Sequence, residues 1–300
     1  VLLAVLNSAF RLFLPYVEHY REDFQDYIND SNQLNVVIGG LGMSWQSWGP
    51  TIVSKQVVLV DNDDAYIYIE SLELQIDFWS SISQQRLVSS NLILDGAKLK
   101  LSQEGWSKEK PAERTLQESS TDVDTFSGFE QVSAIFLNRL NQFSLRNSHI
   151  TIYNQDLERN FHISNLHWNN QGSRHQAQGS IIVDELSSNN LHLKIDVKGD
   201  SVDELKGLMY LEGNHLDITP WLDSVLALDN DKTKADIGFS TWLKIDNGKV
   251  DRLQVVLHKN HVSWQDKKGQ HSLTLSEGQL LLVKGKSPGS FKVYRTPLLM

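Results

Sequence analysis

From Asn35 onward apolar and polar residues alternate with a period of two for most of the chain, and the alternation inverts its phase repeatedly beside Gly or Asn. Strands send successive side chains to opposite faces, so this period specifies half-buried strands, and the apolar positions are rich in β-branched and aromatic residues. In a two-residue hairpin the paired positions sum to an odd number, so an apolar face on even positions must continue on odd ones after the turn. This predicts Leu92 opposite Leu99 and Leu94 opposite Ala97 around Asp95-Gly96, and Phe143 opposite Ile150 and Leu145 opposite Ser148 around Arg146-Asn147. It likewise predicts Val255 opposite Trp264 and Leu257 opposite Val262 around Lys259-Asn260, and Leu273 opposite Leu282 and Leu275 opposite Leu280 around Glu277-Gly278. Asn247-Gly248, with Ile245 facing Val250, is the strongest turn signal. The phase also shifts between Ile69 and Leu72, but Glu70-Ser71 is poor turn chemistry, so a β-bulge or a sheet bend is expected there. The residues thus predict a mainly β chain over 34–300, an antiparallel meander of hairpins with one apolar face.

The alternation is framed by other patterns. Residues 1–17 are apolar except for a few positions such as Asn7, Ser8 and Arg11, with Leu2, Leu3, Val5, Leu6, Phe10, Leu12, Phe13 and Leu14 carrying the run. A spanning helix needs roughly 20 apolar residues, so the run reads as the remnant of a membrane anchor with more apolar chain upstream. Arg11 would snorkel, and Tyr16 and Tyr20 would sit at headgroup level. A signal segment or a buried apolar helix are the alternatives. Over 18–33 an acidic amphipathic helix is expected, with Tyr16, Tyr20, Phe24 and Tyr27 at helical spacing, placed to cap the sheet. Ser127 and Glu130 resemble a capping box ahead of Phe129, Val132, Phe136 and Leu140, and Thr219-Pro220 is a helix start before Trp221, Leu222, Val225 and Leu226. Residues 103–124 read as a polar loop.

Sites for chemistry are scarce. A net charge of -9 leaves no basic excess for phosphates, so nucleic acid is not an expected partner, and the absence of cysteine excludes thiolate sites. Gly39-Gly40-Leu41-Gly42 lacks the ending of a phosphate-binding loop and reads as a turn, and Asp61-Asn62-Asp63-Asp64 lacks the distal glutamate of a calcium loop. His162, His167 and His175 lack zinc-protease spacing and read as exposed strand histidines. No catalytic residue, metal or cofactor is expected. Trp45, Trp48 and Gly49-Pro50 fit either a membrane interface or closure of the first end of the sheet, and the second reading is preferred. The segments Leu92–Leu101 and Phe143–Ile152 share a pattern, a weak internal repeat.

Several pieces together resemble the AsmA-like proteins of the Gram-negative envelope. They are Leu14-Pro15, Ser44-Trp45 with Gly49-Pro50, the run Leu74 to Trp79, Phe143 to Ser148, Asn165 to Trp168, Asp217 to Leu222 and Trp242 to Gly248, in order through nearly the whole chain. The resemblance implies a single-pass inner-membrane anchor followed by a long twisted sheet curled into a groove in the periplasm. It also implies passage of phospholipid toward the outer membrane in support of its permeability barrier, with acyl chains, the inner membrane and the remainder of a longer chain beyond Met300 as partners. The groove would be lined by Ile67, Ile69, Leu72, Leu74, Leu92, Leu94, Leu99, Leu101, Phe143, Ile150, Ile152, Val255, Leu257, Val262, Leu273, Leu275, Leu280 and Leu282. From pattern alone a closed core is better supported, because every sandwich has one apolar face, and only the resemblance reverses that order. The alternative is therefore a non-enzymatic envelope scaffold with a closed β core.

Overall fold

The computed structural model describes residues 14–32, 35–46, 49–61, 64–85, 89–102, 133–154, 157–184, 186, 190–220, 233–266, 269–275, 277–285 and 291–295. The chain divides into two compact units, Val1–Arg159 and Asn160–Met300, and both are dominated by strands.

In the first unit a 3-10 turn, Leu14–Tyr20, runs into a helix, Arg21–Asn32, followed by β1 (Val36–Gln46), β2 (Gly49–Asp61) and β3 (Asp64–Ile76). A short helix, Phe78–Gln84, precedes β4 (Ser89–Asp95) and β5 (Lys98–Ser102), and a helical segment, Ile135–Arg139, precedes β6 (Gln142–Asn154). β1, β2, β3 and β4 pair antiparallel in order. β5 continues along β3 where β4 stops, and β4 and β5 both lie parallel to β6. Asp95-Gly96 and Arg146-Asn147 are therefore not hairpins, and the expected pairs Leu92 with Leu99 and Phe143 with Ile150 do not form. Leu92 lies beside Leu74 and Phe143, and Leu99 beside Ile67 and Ile150. The internal repeat is the register itself: Leu92 to Leu101 and Phe143 to Ile152 run side by side with matching positions paired.

The phase inversions have a different cause. Gly96 and Asn147 take left-handed φ of 66° and 45°, and Gln56 on β2 has 51°. Continuing the registers places Gly39, Gln56, Glu70, Gly96 and Asn147 on one line across the unit, with unchanged pairing on either side of it in β1, β2 and β3. Left-handed residues stand at three of these five places, and the apolar positions change from one parity to the other across the line on every strand, so the line is a crease. Of the two expectations at Glu70-Ser71, the sheet bend is the one observed. Side chains stitch the crease: Asn147 Nδ2 donates to Asp95 Oδ1 at 3.1 Å, and Ala97 N–H donates to Ser148 Oγ at 3.2 Å. Gly39-Gly40-Leu41-Gly42 is not a turn but part of β1, because a Cβ on Gly39 would lie 2.9 Å from the Gln56 Cβ at this crossing.

The helix caps the sheet edge, as expected, but with the opposite face. Tyr16, Tyr20 and Tyr27 are 61%, 62% and 70% exposed. The polar stripe Glu18, Arg21, Gln25 and Asn29 instead bonds the outer backbone of β1. Val36 N–H donates to Asn29 Oδ1 at 2.8 Å, Ile38 N–H to Gln25 Oε1 at 2.9 Å and Leu41 N–H to Glu18 Oε2 at 2.7 Å. The Arg21 guanidinium returns a bond to Ile38 O at 2.8 Å. A bare strand edge invites another strand, and these four side chains replace it.

The second unit is built on β7 (Leu157–Gln171, from Asn160 onward), β8 (Arg174–Val183), β9 (Leu191–Lys198), β10 (Lys206–Asp217) and β11 (Lys234–Asp246). β12 (Lys249–Leu257), β13 (Asn260–Asp266), β14 (Gly269–Leu275), β15 (Gly278–Lys284) and β16 (Phe291–Arg295) complete it. Neighbours from β7 to β12 pair antiparallel in chain order. The Asn247-Gly248 hairpin forms with Ile245 opposite Val250, both turn residues at positive φ. The Lys259-Asn260 and Glu277-Gly278 hairpins do not form. β12 and β13 run end to end along β11, and β15 and β14 run end to end against them, so Val255 faces Leu280 and Val262 faces Leu273. Thr219 and Pro220 begin a helical turn, with Thr219 Oγ1 accepting from Ala235 N–H at 3.1 Å. The Ser127 capping box and residues 103–124 lie outside the described residues.

Candidate functional site

Directly opposed residues on neighbouring strands share a face, so the registers can be read as rows. The first unit has four apolar rows. Val36, Leu59, Ile67, Leu99 and Ile150 form one across five strands, and Ile38, Val57 and Ile69 form the next. Beyond the crease come Leu41, Ser54, Leu72, Leu94 and Leu145, then Met43, Ile52, Leu74, Leu92 and Phe143. The second and third rows stand three residues apart, a step that would change faces in a regular strand. The crease cancels that change. Ile38, Val57 and Ile69 on one side and Leu41, Ser54 and Leu94 on the other are all buried, whereas Gln56 and Glu70 on the line are exposed.

In the second unit one row crosses eight strands: Trp168, Ala177, Ile195, Met209, Leu243, Leu253, Leu282 and Val293. Beside it run Leu166, Gly179, Leu193, Leu211, Thr241, Val255 and Leu280. The row on the opposite face begins His167, Gln178 and Lys194, all exposed. Arg174 there grips Asp196 through two bonds of 2.9 and 2.6 Å, and the hydrogen bond from the guanidinium holds the Asp196 carboxyl below its ordinary value. One face is apolar and the other hydrated.

The degree of burial along the apolar face decides what it can do. Ile69, Leu94 and Phe143 are buried, and Phe143 meets the Phe136 ring edge-on at 4.8 Å. Ile67, Leu72, Leu74, Leu92, Leu99 and Ile150 are only half-buried. Val255, Leu257, Val262, Leu275, Leu280 and Leu282 are half-buried too, and Leu273 is 49% exposed. Leu101 and Ile152 are opposed in register. Residues at the centre of a filled sandwich interdigitate and leave water altogether, so the described half-buried positions keep part of their apolar surface exposed, while Val36, Ile38, Val57 and Leu59 in the same rows are buried. A closed cluster exists at one end of the second unit, where Val183, Leu186, Leu191 and Leu216 pack with Phe161, Ile181 and Phe239. Sequence reasoning passed over Leu193, Ile195, Met209, Leu243 and Leu253, although Leu191-His-Leu-Lys-Ile-Asp-Val197 alternates without a fault.

One polar network proved to be structural. His175 is not an exposed strand histidine: it is fully buried, with its ring nitrogens 2.7 Å from Asn170 Oδ1 and 2.7 Å from Gly199 O. Trp168 Nε1 donates to the same Asn170 oxygen at 2.6 Å, tying β7, β8 and the turn after β9 together. Among the described residues no group of three or more His, Asp or Glu side chains is placed to hold a metal ion. None of the described helices is long and apolar enough to cross a membrane, and the anchor residues Leu2 to Phe13 lie outside the described residues.

Fold and site together define a mainly β protein whose strands join a partly exposed apolar face to a hydrated one. The chain matches the family described as YhdP protein over residues 1–298 and belongs to that family. It is similar to the intermembrane phospholipid transporter YhdP of Escherichia coli (strain K12), with 22% identity over 303 residues. The match covers 100% of this chain and 23% of that relative, so the chain spans about a quarter of the relative's length. No solved structure matches.

Proposed function

We propose that this chain carries phospholipid between membranes by letting acyl chains slide along the apolar rows, with headgroups held toward water and no covalent step or cofactor. Residues 1–17 anchor it in the inner membrane, the sheets curl into a groove in the periplasm, and lipid travels toward the outer membrane, whose barrier depends on the supply. The single observation that carries the reading is the long apolar row from Trp168 to Val293, which lies mostly half-buried beside a hydrated face. Hydrocarbon laid along it would leave water at a gain of roughly 25 cal/mol per Å² covered. What the related transporter's name says of its cargo, phospholipid moved between membranes, supports this reading.

A photo-reactive residue at Leu92, Leu99 or Val255 in the full chain tests it. Ultraviolet crosslinks to phospholipid are expected at all three. Crosslinks to protein alone at every position would sink the transport reading and leave a scaffold.

A further inference from the structure

The apolar face of the first unit ends in an aromatic cluster. Trp45, two residues past Met43 on β1, lies 5.9 Å from the Phe78 ring, and Phe78 meets Trp79 edge-on at 5.2 Å. The Phe78–Gln84 helix carrying them is firmly built: Asp77 accepts the Ser80 N–H at 2.9 Å and its hydroxyl at 2.6 Å, and Gln85 ends the helix at a φ of 51°. No charged residue stands between Asp77 and Arg86. Yet Trp79 and Ile82, three residues apart on one side, are 64% and 57% exposed, and Trp45 is 39% exposed. A surface helix normally turns such residues inward and shows charge outward.

The second observation is direction. The Arg21–Asn32 helix runs antiparallel to β1, since Glu18 bonds Leu41 and Asn29 bonds Val36. Eleven helical residues and five strand residues both span about 17 Å, so the two stay level along their length. Four more residues of 3-10 turn, back to Leu14, add about 8 Å and bring the chain level with Met43 and Ser44. Leu14, the first described residue and the one that the apolar sequence precedes, therefore stands at the end of the sheet where the cluster sits.

We propose that Trp45, Phe78, Trp79 and Ile82 form an interfacial belt that seats this open end of the apolar face in the headgroup layer of a lipid bilayer. Tryptophan is stabilised at that depth, and an uncharged helix of serine and glutamine meets headgroups without burying a charge. The bilayer is the occupant because the apolar sequence precedes Leu14, which stands at the same end. Lipid then reaches the row Met43, Ile52, Leu74, Leu92 and Phe143 without crossing water. This rests on residues 1–17 being an anchor, and the test separates the two.

The chain has no cysteine, so single cysteines can be introduced as W79C, I82C, Y27C and L6C and labelled with an environment-sensitive fluorophore. Each full-length variant is reconstituted into phosphatidylethanolamine–phosphatidylglycerol vesicles containing lipid with a shallow quencher or, for the label at Leu6, which an anchor would hold near the bilayer centre, lipid with a quencher at the acyl-chain end. Labels at 79 and 82 are expected to be quenched about threefold more than the label at Tyr27, which is exposed on the Arg21–Asn32 helix, away from the end where Leu14 stands. Quenching at Leu6 with none above the Tyr27 level at 79 and 82 overturns the belt and leaves the anchor standing. No quenching at Leu6 overturns the anchor and the belt with it. Labels at 79 and 82 shielded from a water-soluble quencher but untouched by the lipid quencher show a protein partner, and also overturn the belt.

Discussion

The two units preserve an apolar face in different ways. The first creases its strands along one line, Gly39, Gln56, Glu70, Gly96 and Asn147, with the pairing across that line unchanged and register shifts only farther out, at Leu59/Val60 and Gln75/Ile76. The second lets individual strands slip, between Ile163 and Asn165 on β7, between Gly213 and Leu216 on β10, and between Val250 and Arg252 on β12, opposite Lys244 and Ile245. A crease is collective: each strand must supply a residue that tolerates the bend at that level. A bulge is local, because one extra residue is absorbed by one strand. The first unit should therefore be brittle along a line and the second at isolated points.

Gly96→Val should show the largest effect. It places a β-branched residue at a φ of 66° and a Cβ 2.8 Å from that of Glu70, and should cost about 3 kcal/mol in urea unfolding. Gly278→Ala in the second unit, whose Cβ would come no nearer than 3.4 Å to Leu257, should cost under about 1 kcal/mol, and equal losses would erase the contrast. His175→Ala tests a local tie of the second unit: an enclosed ring lost with its polar contacts to Asn170 and Gly199 should cost about 2 kcal/mol and speed amide exchange in β8 and β9 before any strand of the first unit. Gln56→Gly should run the other way. Relieving a non-glycine left-handed residue on the crease should stabilise by about 1 kcal/mol, seen as a raised urea midpoint.

The smallest effect is electrostatic and confined to the second unit. Asp196 titrates below its ordinary 3.8 because Arg174 bonds its charged form. A folded value below the unfolded one means the stabilisation is complete above the unfolded value and fades as pH falls through the folded one. Both side chains are more than 40% exposed, so solvent screening limits it to about 0.5 kcal/mol. Thermal melts of the native chain and Asp196→Asn should differ at pH 6 and converge once the pH has fallen through the lowered folded value of Asp196, and a constant gap would refute the assignment.

Much of this is legible in residue order. The period of two, the Asn247-Gly248 hairpin, the capping helix and the one-sided apolar pattern all come from local sequence. The elements that differ from expectation share one cause. Gly96 and Asn147 are left-handed, as their residue types imply, but a left-handed residue serves a reversing turn and a crease equally well. The capping helix turns its other face inward, because the worth of its polar stripe is visible only beside the β1 edge, while its aromatic stripe is plain in the sequence. His175 looks exposed from its residue type, although its strand position, two residues before Ala177, puts it on the apolar face.

Residue order alone determined that this chain forms strands with one apolar side and where that side changes phase. Tertiary structure decided whether each phase change reverses the chain or bends it, and hence which residues meet: Leu92 with Phe143 and not with Leu99, Val255 with Leu280 and not with Trp264. The physical reason is that φ and side-chain direction are properties of a few neighbouring residues, whereas a pairing is a contest among all strands that present a matching edge. The repeat of Leu92–Leu101 in Phe143–Ile152 was the one local trace of that contest's outcome, and only the parallel register gave it meaning.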